Sequence, residues 1–370
     1  MRGHAEIAGA GFAGMTVATA LAQRGWTVRV HEKDERLRAF GAGIFIWENG
    51  LRVLKAIGAY EEVLRCAHEA RVYETRRGHR LIAQTSFSLQ CGTRMLTMTR
   101  QHLYEAMLGA ARRAGVEFRT ASEVVGASPD GRLRTSQGTW QADLVVGADG
   151  VGSRVREALG IPTERRPCVD GIARVLGPRC KDQLGPGTWD HVIDFWAEPP
   201  TSLRILYVPC NQRDLYLAMM APVDDAEASA IPVRPGVWVE AFPQLEPVIR
   251  QISAGGRYDA YETTRVGCWS VGRAAIVGDA AHAMTPTLGQ GAGTAMMNAL
   301  SLAVMVEECA SVEQALVAWE RRERAITEHT QASSEETARA RAMASGTAWN
   351  ETTLKTARHI PTGTQQLQWP

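Results

Sequence analysis

A chain of 370 residues is too long for one ordinary hydrophobic core and suits about two domains. Its 41 basic and 40 acidic residues leave a net charge of +1, which excludes broad electrostatic capture of nucleic acid or of an anionic membrane. No apolar run reaches the ~18 residues that span a bilayer, and the first residues lack a basic leader followed by a continuous apolar stretch. Seven cysteines, widely spread and without a C-x-x-C pair, read as reduced thiols of a cytoplasmic protein. The nine histidines show no metal-ligand spacing, so no metal is expected.

The chain opens on HAEIAG (4–9), a short predicted strand, then a predicted helix over 13–24, then WTVRVHEK (26–33), an alternation that ends in Glu32. This is strand–helix–strand with G-x-G-x-x-G at its first turn. Gly9 permits the tight turn, Gly11 lets a pyrophosphate approach the backbone, and Gly14 lets helix and strand pack closely. The helix start at Phe12 and Ala13 would face the phosphates. Glu32, about 20 residues on, can accept from a ribose hydroxyl pair and would repel a 2′-phosphate; Lys33 beside it joins the cofactor-binding candidates. Dinucleotide binding is the expectation.

Further along, ARVYETRRGHRLIAQTSFSL (70–89) reads as strands, and TMTRQHLYEAML (97–108) carries Arg100 into a helix. A β meander is predicted over 120–140. ADLVVGADGVGSRVREALG (142–160) is a buried strand running into Asp149-Gly150 and a basic helix. Between about 168 and 222, WDHVIDFW, SLRILYVP and DLYLAMMA read as strands, and 237–252 as helix broken near Pro243 and Pro247. RAAIVGDAAHAMTPTLGQGAGTAMMNAL (273–300) is another apolar strand, ending in Gly278-Asp279, then a loop with Pro286, Gly289 and Gly291, then a helix of small residues that starts near Gly291 and Ala292. Such a loop is costly to order unless the backbone itself must approach something closely. After about 330 the chain is polar and gives no functional signal.

The three segments at 9–14, 147–156 and 278–292, in this order and spacing, resemble the fingerprints of the class A flavoprotein aromatic monooxygenases of the para-hydroxybenzoate hydroxylase type. The resemblance implies an α/β fold: a discontinuous Rossmann-like FAD-binding domain (1–70, 95–165 and 265–330) and a second, mixed or antiparallel β-sheet substrate domain (71–94 and 166–264). Residues 331–370 are left as a helical or irregular tail. It implies that Glu32 holds the adenosine ribose, Arg100 reaches the pyrophosphate or ribityl region, Asp279 bonds the ribityl chain, and Asp149 serves FAD and NAD(P)H. Pro286 would lie beside the reactive edge of the flavin. The helix from Gly291 would aim its N-terminal dipole at the flavin, where negative charge accumulates on reduction. His282 is expected to be structural.

LRAFGAGI, RILY, YLAMMAP and ETTRVGCW are similar to segments of a narrower group, the flavin oxygenases that act on 3-hydroxypyridine carboxylates, of the 2-methyl-3-hydroxypyridine-5-carboxylate oxygenase type. The group's substrate-contacting arginine and tyrosines fall here on Arg204, Tyr216 and Tyr73, while its tyrosine near the flavin edge corresponds to Phe45. Arg204 stands in an apolar strand, where a lone guanidinium is costly unless an anion meets it. The resemblance therefore implies non-covalent FAD, transient NAD(P)H, O₂ as co-substrate, and hydroxylation of an aromatic or N-heteroaromatic acid, with ring opening in the narrower group. A phenolic-acid hydroxylase without ring cleavage and a flavin-dependent reductase are the alternatives. No nucleic acid or membrane partner is expected, and a homo-oligomer is compatible with the sequence.

Overall fold

The structure, a computed structural model, describes residues 3–38, 42–252, 256–342 and 349–368. Part of the LRAFGAGI stretch, residues 39–41, lies outside the described residues. A six-stranded sheet forms the first layer, in the order Ser270–Val271, Ala274–Ile276, Leu144–Gly147, His4–Ala8, Thr27–His31, Glu117–Arg119. All its pairings are parallel except that of the edge strand Ser270–Val271. Helices cover it, so its central strands are continuous apolar runs rather than alternating ones; Leu144–Gly147 is buried at every position. Glu6 breaks that rule inside His4–Ala8 and is satisfied there by Arg29 at 2.8 Å and His31 at 2.7 Å. The helices Phe12–Gln23 and Gly291–Glu308 pack against each other along their small residues.

A seven-stranded sheet forms the roof, in the order Arg257–Val266, Thr163–Pro178, Asp214–Pro222, Arg204–Pro209, Val192–Trp196, Val72–Arg77, Arg80–Ser86. It is mixed: only Val192–Trp196 with Val72–Arg77 is parallel. Its central strands alternate with period two. Ile205, Tyr207, Leu215, Leu217 and Met219 face outward onto a core with Trp238 and Phe242, while Arg204, Leu206, Tyr216, Ala218 and Met220 face the first layer across a cavity. The predicted break over 237–252 is observed as three short pieces, Pro235–Ala241, Pro243–Leu245 and Glu246–Ile249. Among the described residues, no helix is long and apolar enough to cross a membrane.

One boundary is corrected. The division placed at 330 falls inside a single helix, Val312–Ala342. Beyond it Trp349, Leu354 and Ala357 pack into the cluster under the roof.

Candidate active site

Between the layers runs a groove of about 340 Å³. At one end the turn after His4–Ala8 carries Gly9 at φ +96°, and a side chain there would strike the carbonyl oxygen of Ala148 at 2.5 Å. Gly11 differs: a Cβ added to it would meet nothing within 4 Å. Its bareness serves no packing need within the chain, which fits a ligand passing over it. Gly11 caps the helix Phe12–Gln23 without a side-chain bond, and Gln290 does the same for Gly291–Glu308. Two helix N-termini without side-chain caps therefore line one groove, Phe12 and Ala13 at one, Gly291 and Ala292 at the other. Their amides suit an anionic or electron-rich group. Glu32 accepts from the amides of Ala10 at 2.9 Å and Asp34 at 3.1 Å, so it sits beside the glycine turn. These features fit FAD.

Arg100 and Asp279 both line the groove, and so does Arg174 from the roof strand Thr163–Pro178. Burial holds the Arg100 guanidinium below its ordinary value, and the charge of Arg174 adds to that. Asp279 is open to the groove, and desolvation by the surrounding protein raises its carboxyl, against the opposing charges of Arg100 and Arg174. Arg174 is ion-paired to Asp259. Gly278 also lines the groove. Asp149 is placed otherwise. It accepts from Ser153 Oγ at 2.5 Å and from the amides of Arg154 and Val155 at 2.8 and 3.1 Å, which ties its carboxylate to the helix Arg154–Ala158. Its neighbours Ala148 and Gly150, not its carboxylate, face the groove. Lys33 is exposed.

A second cavity, of about 330 Å³, lies against the roof and is mostly apolar. It shares Phe45, Ile172, Tyr216, Thr285 and Pro286 with the groove, so those residues stand where the two spaces meet. Gly289, at φ +59°, lets the loop after Pro286 turn in beside the Phe45 ring, where a side chain could not fit. Tyr73 and Arg204 line the same cavity. Arg204 is not a lone guanidinium: its Nη2 donates to both oxygens of Asp194, at 2.9 and 2.7 Å. Burial works against its charge, but Asp194 more than offsets that, and its pKa is raised. Burial likewise raises the phenols of Tyr216 and Tyr261, leaving both protonated and able to donate. His282 is buried, bonded to Asn298 at 3.0 Å, and pushed down to about 4 by burial, so it is neutral.

Several residues of the site carried no sequence signal. The Tyr261 hydroxyl is buried at the cavity without a hydrogen-bond partner among the described residues. The stretch read as a signal-free tail holds the Pro286 loop: Ser334 Oγ donates to the Thr285 carbonyl at 2.7 Å, and Thr287 donates to the Ser334 carbonyl at 2.7 Å. Glu335 lines the cavity, and Trp349 packs on Tyr73 with ring centres 5.3 Å apart. Arg174 was legible in principle, being two residues after Ile172 on the same strand face.

Residues 4–334 match the FAD binding domain family. The 2-heptyl-3-hydroxy-4(1H)-quinolone synthase of Mycobacteroides abscessus is 42% identical over 336 residues, covering 90% of this chain and 89% of that protein. The 3-amino-4-hydroxybenzoate 2-monooxygenase of Streptomyces cremeus is 30% identical over 309 residues, 80% of this chain and 76% of that one. A crystal structure of 2-methyl-3-hydroxypyridine-5-carboxylic acid oxygenase superposes with a TM-score of 0.93 at 48% identity, covering 97% of each chain.

Proposed function

The chain belongs to the FAD-binding domain family, with the fold of the class A flavoprotein aromatic monooxygenases, and from that premise we propose that it hydroxylates a hydroxylated N-heteroaromatic ring. NAD(P)H and O₂ are the co-substrates in this reading, and addition of one water molecule to the hydroxylated ring then opens it. The observation that carries it is the meeting of the glycine-lined groove with the apolar cavity at Phe45, Tyr216 and Pro286. When bound, FAD supplies the redox chemistry, taking a hydride and activating O₂ toward an electron-rich ring carbon.

The chain's own tasks are positioning and exclusion. Phe45, Ile172 and Pro286 form an apolar wall at the junction that keeps water from the reacting atoms. Tyr216 is held protonated and can donate to a ring oxygen there. Arg204 keeps N–H groups beyond the one engaged by Asp194, so it can donate to a substrate carbonyl, oxyanion or carboxylate while the pair as a whole is neutral. Tyr73 is the remaining wall residue assigned to the ring. In the groove, Glu32, Arg100, Gly278, Asp279 and the two helix starts hold FAD non-covalently.

Seven unpaired cysteines accord with a reducing cytoplasm, and a tetrameric form of the 2-methyl-3-hydroxypyridine-5-carboxylic acid oxygenase, 47% identical, accords with a homo-oligomer. The test is a panel of hydroxypyridine carboxylates, 4-quinolones and hydroxybenzoates, scored for stimulated NAD(P)H oxidation and product mass. An N-heteroaromatic ring should give the strongest stimulation and a product heavier by one oxygen atom, plus one water where the ring opens. Stimulation by hydroxybenzoates alone would replace this reading with that of a phenolic-acid hydroxylase.

A further inference from the structure

The strand Thr163–Pro178 is irregular at one place. Pro167 pairs with Glu262 and Gly171 with Ala260, so Cys168, Val169 and Asp170 stand opposite the single residue Tyr261. Two extra residues in a roof strand make a bulge, a device that re-aims side chains. Here it turns Cys168, Val169, Asp170 and Tyr261 into the wall of the substrate cavity. Gly171 ends the bulge. A side chain on it would strike the Tyr258 ring at 2.4 Å, so its bareness lets the two strands close up again.

Asp170 is the member with unspent chemistry. It is half-buried, and among the described residues no hydrogen bond or ion pair reaches its carboxylate. Its partner across the neighbouring strand is Pro222, which has no amide to give. Arg204 lies close enough to feel its charge, but is bound to Asp194 instead. With the charge of Arg204 matched by Asp194, the Asp170 carboxylate is an acceptor left over beside the N–H groups that Arg204 keeps, so the two can meet a donor and an acceptor on one ring. Asp170 and Arg204 also line the adjoining outer cleft and are absent from the walls of the cofactor groove. They therefore mark the cavity end away from Pro286.

We propose that Asp170 accepts the ring N–H of the substrate and thereby selects nitrogen heterocycles over carbocyclic rings of the same shape. This rests on the reading of the cavity as the substrate site. The chemistry recognised is an N–H in the ring plane, carried either by a protonated pyridine or by a 4(1H)-quinolone. A carboxylate facing such a donor makes a charge-assisted bond, whereas a ring C–H leaves it unpartnered in an apolar wall.

The test is ligand titration of the FAD-loaded protein, followed by flavin fluorescence. One arm compares 2-methyl-3-hydroxypyridine-5-carboxylate with its carbocyclic counterpart, 3-hydroxy-4-methylbenzoate; the other compares 2-heptyl-4(1H)-quinolone with its N-methyl derivative. The N–H ligand of at least one arm should bind roughly ten- to a hundredfold more tightly than its counterpart. In Asp170→Ala that preference should collapse to within about threefold by loss on the N–H ligand alone. Asp170→Asn, which keeps the volume and an acceptor without the charge, should fall between them. The responding arm identifies the N–H source, and for the pyridine the ultraviolet spectrum of bound ligand should change from protonated in wild type to neutral in Asp170→Ala. Equal weakening of both members of each pair, no preference in the wild type, or no binding of either N–H ligand would overturn the assignment. Loss of hydroxylation with the preference intact would instead count against the proposed reaction and leave Asp170 in its role.

Discussion

Replacing Arg204 by Met tests how the roof is held together. The Asp194 carboxylate is 0% exposed and the Arg204 side chain 14% exposed, and they share two bonds below 3 Å. Removing Arg204 alone leaves a buried carboxylate without its cation, a loss of about 3–5 kcal/mol in comparable buried pairs. Removing both, in Asp194→Leu with Arg204→Met, takes away the uncompensated charge, and such exchanges are neutral or stabilising by up to about 4 kcal/mol. Urea unfolding of the FAD-loaded protein is the assay. The single variant should lose about 3–5 kcal/mol and the double variant should recover most of it. A loss below about 1 kcal/mol in the single variant, the scale of an exposed pair, would mean that the pair does not hold the roof. So would a double variant as unstable as the sum of the two changes.

Gly11→Val should abolish FAD binding while leaving the circular dichroism spectrum unchanged, because the added side chain meets open space in the chain and occupies only the groove; retained flavin would misplace the phosphates. Tyr261→Phe should leave stability level or raise it by about 1 kcal/mol, since the hydroxyl is buried without a partner, and should raise KM, which steady-state kinetics would show. For His282, the folded pKa of about 4 lies below the ordinary 6.5, so the unfolded chain binds the proton first. Its stabilising contribution is complete above pH 6.5 and is lost as pH falls toward 4, about 2 kcal/mol between pH 7.5 and 5; His282→Gln should flatten that part of the urea-stability profile.

What the sequence disclosed was set by range. The glycine turn and Glu32 were legible because a dinucleotide site is built from one contiguous strand–helix–strand. The roof face of Arg204 and Tyr216 was legible from period-two alternation. Asp149 was visible as a position, but its carboxylate is used by amides five and six residues on, a local cap that the family likeness obscured. The partner of Arg204 was hidden because it depends on the register of Val192–Trp196 against Arg204–Pro209, which sets Asp194 opposite Leu206, two pairs from Trp196–Arg204 and on the same face. The bulge at Asp170 is likewise a fact of register. The anchoring of the Pro286 loop by Ser334 spans 49 residues and rests on small polar side chains with no pattern of their own.

In the proposed reaction an oxygen atom passes from O₂ to a nitrogen-heteroaromatic ring where the groove and the cavity meet. Turnover under ¹⁸O₂ of the panel member that most stimulates NAD(P)H oxidation tests it most directly. One ¹⁸O atom should enter the organic product for each NAD(P)H consumed. Hydrogen peroxide as the sole oxygen product, with every N-heteroaromatic ring recovered unchanged, would contradict it.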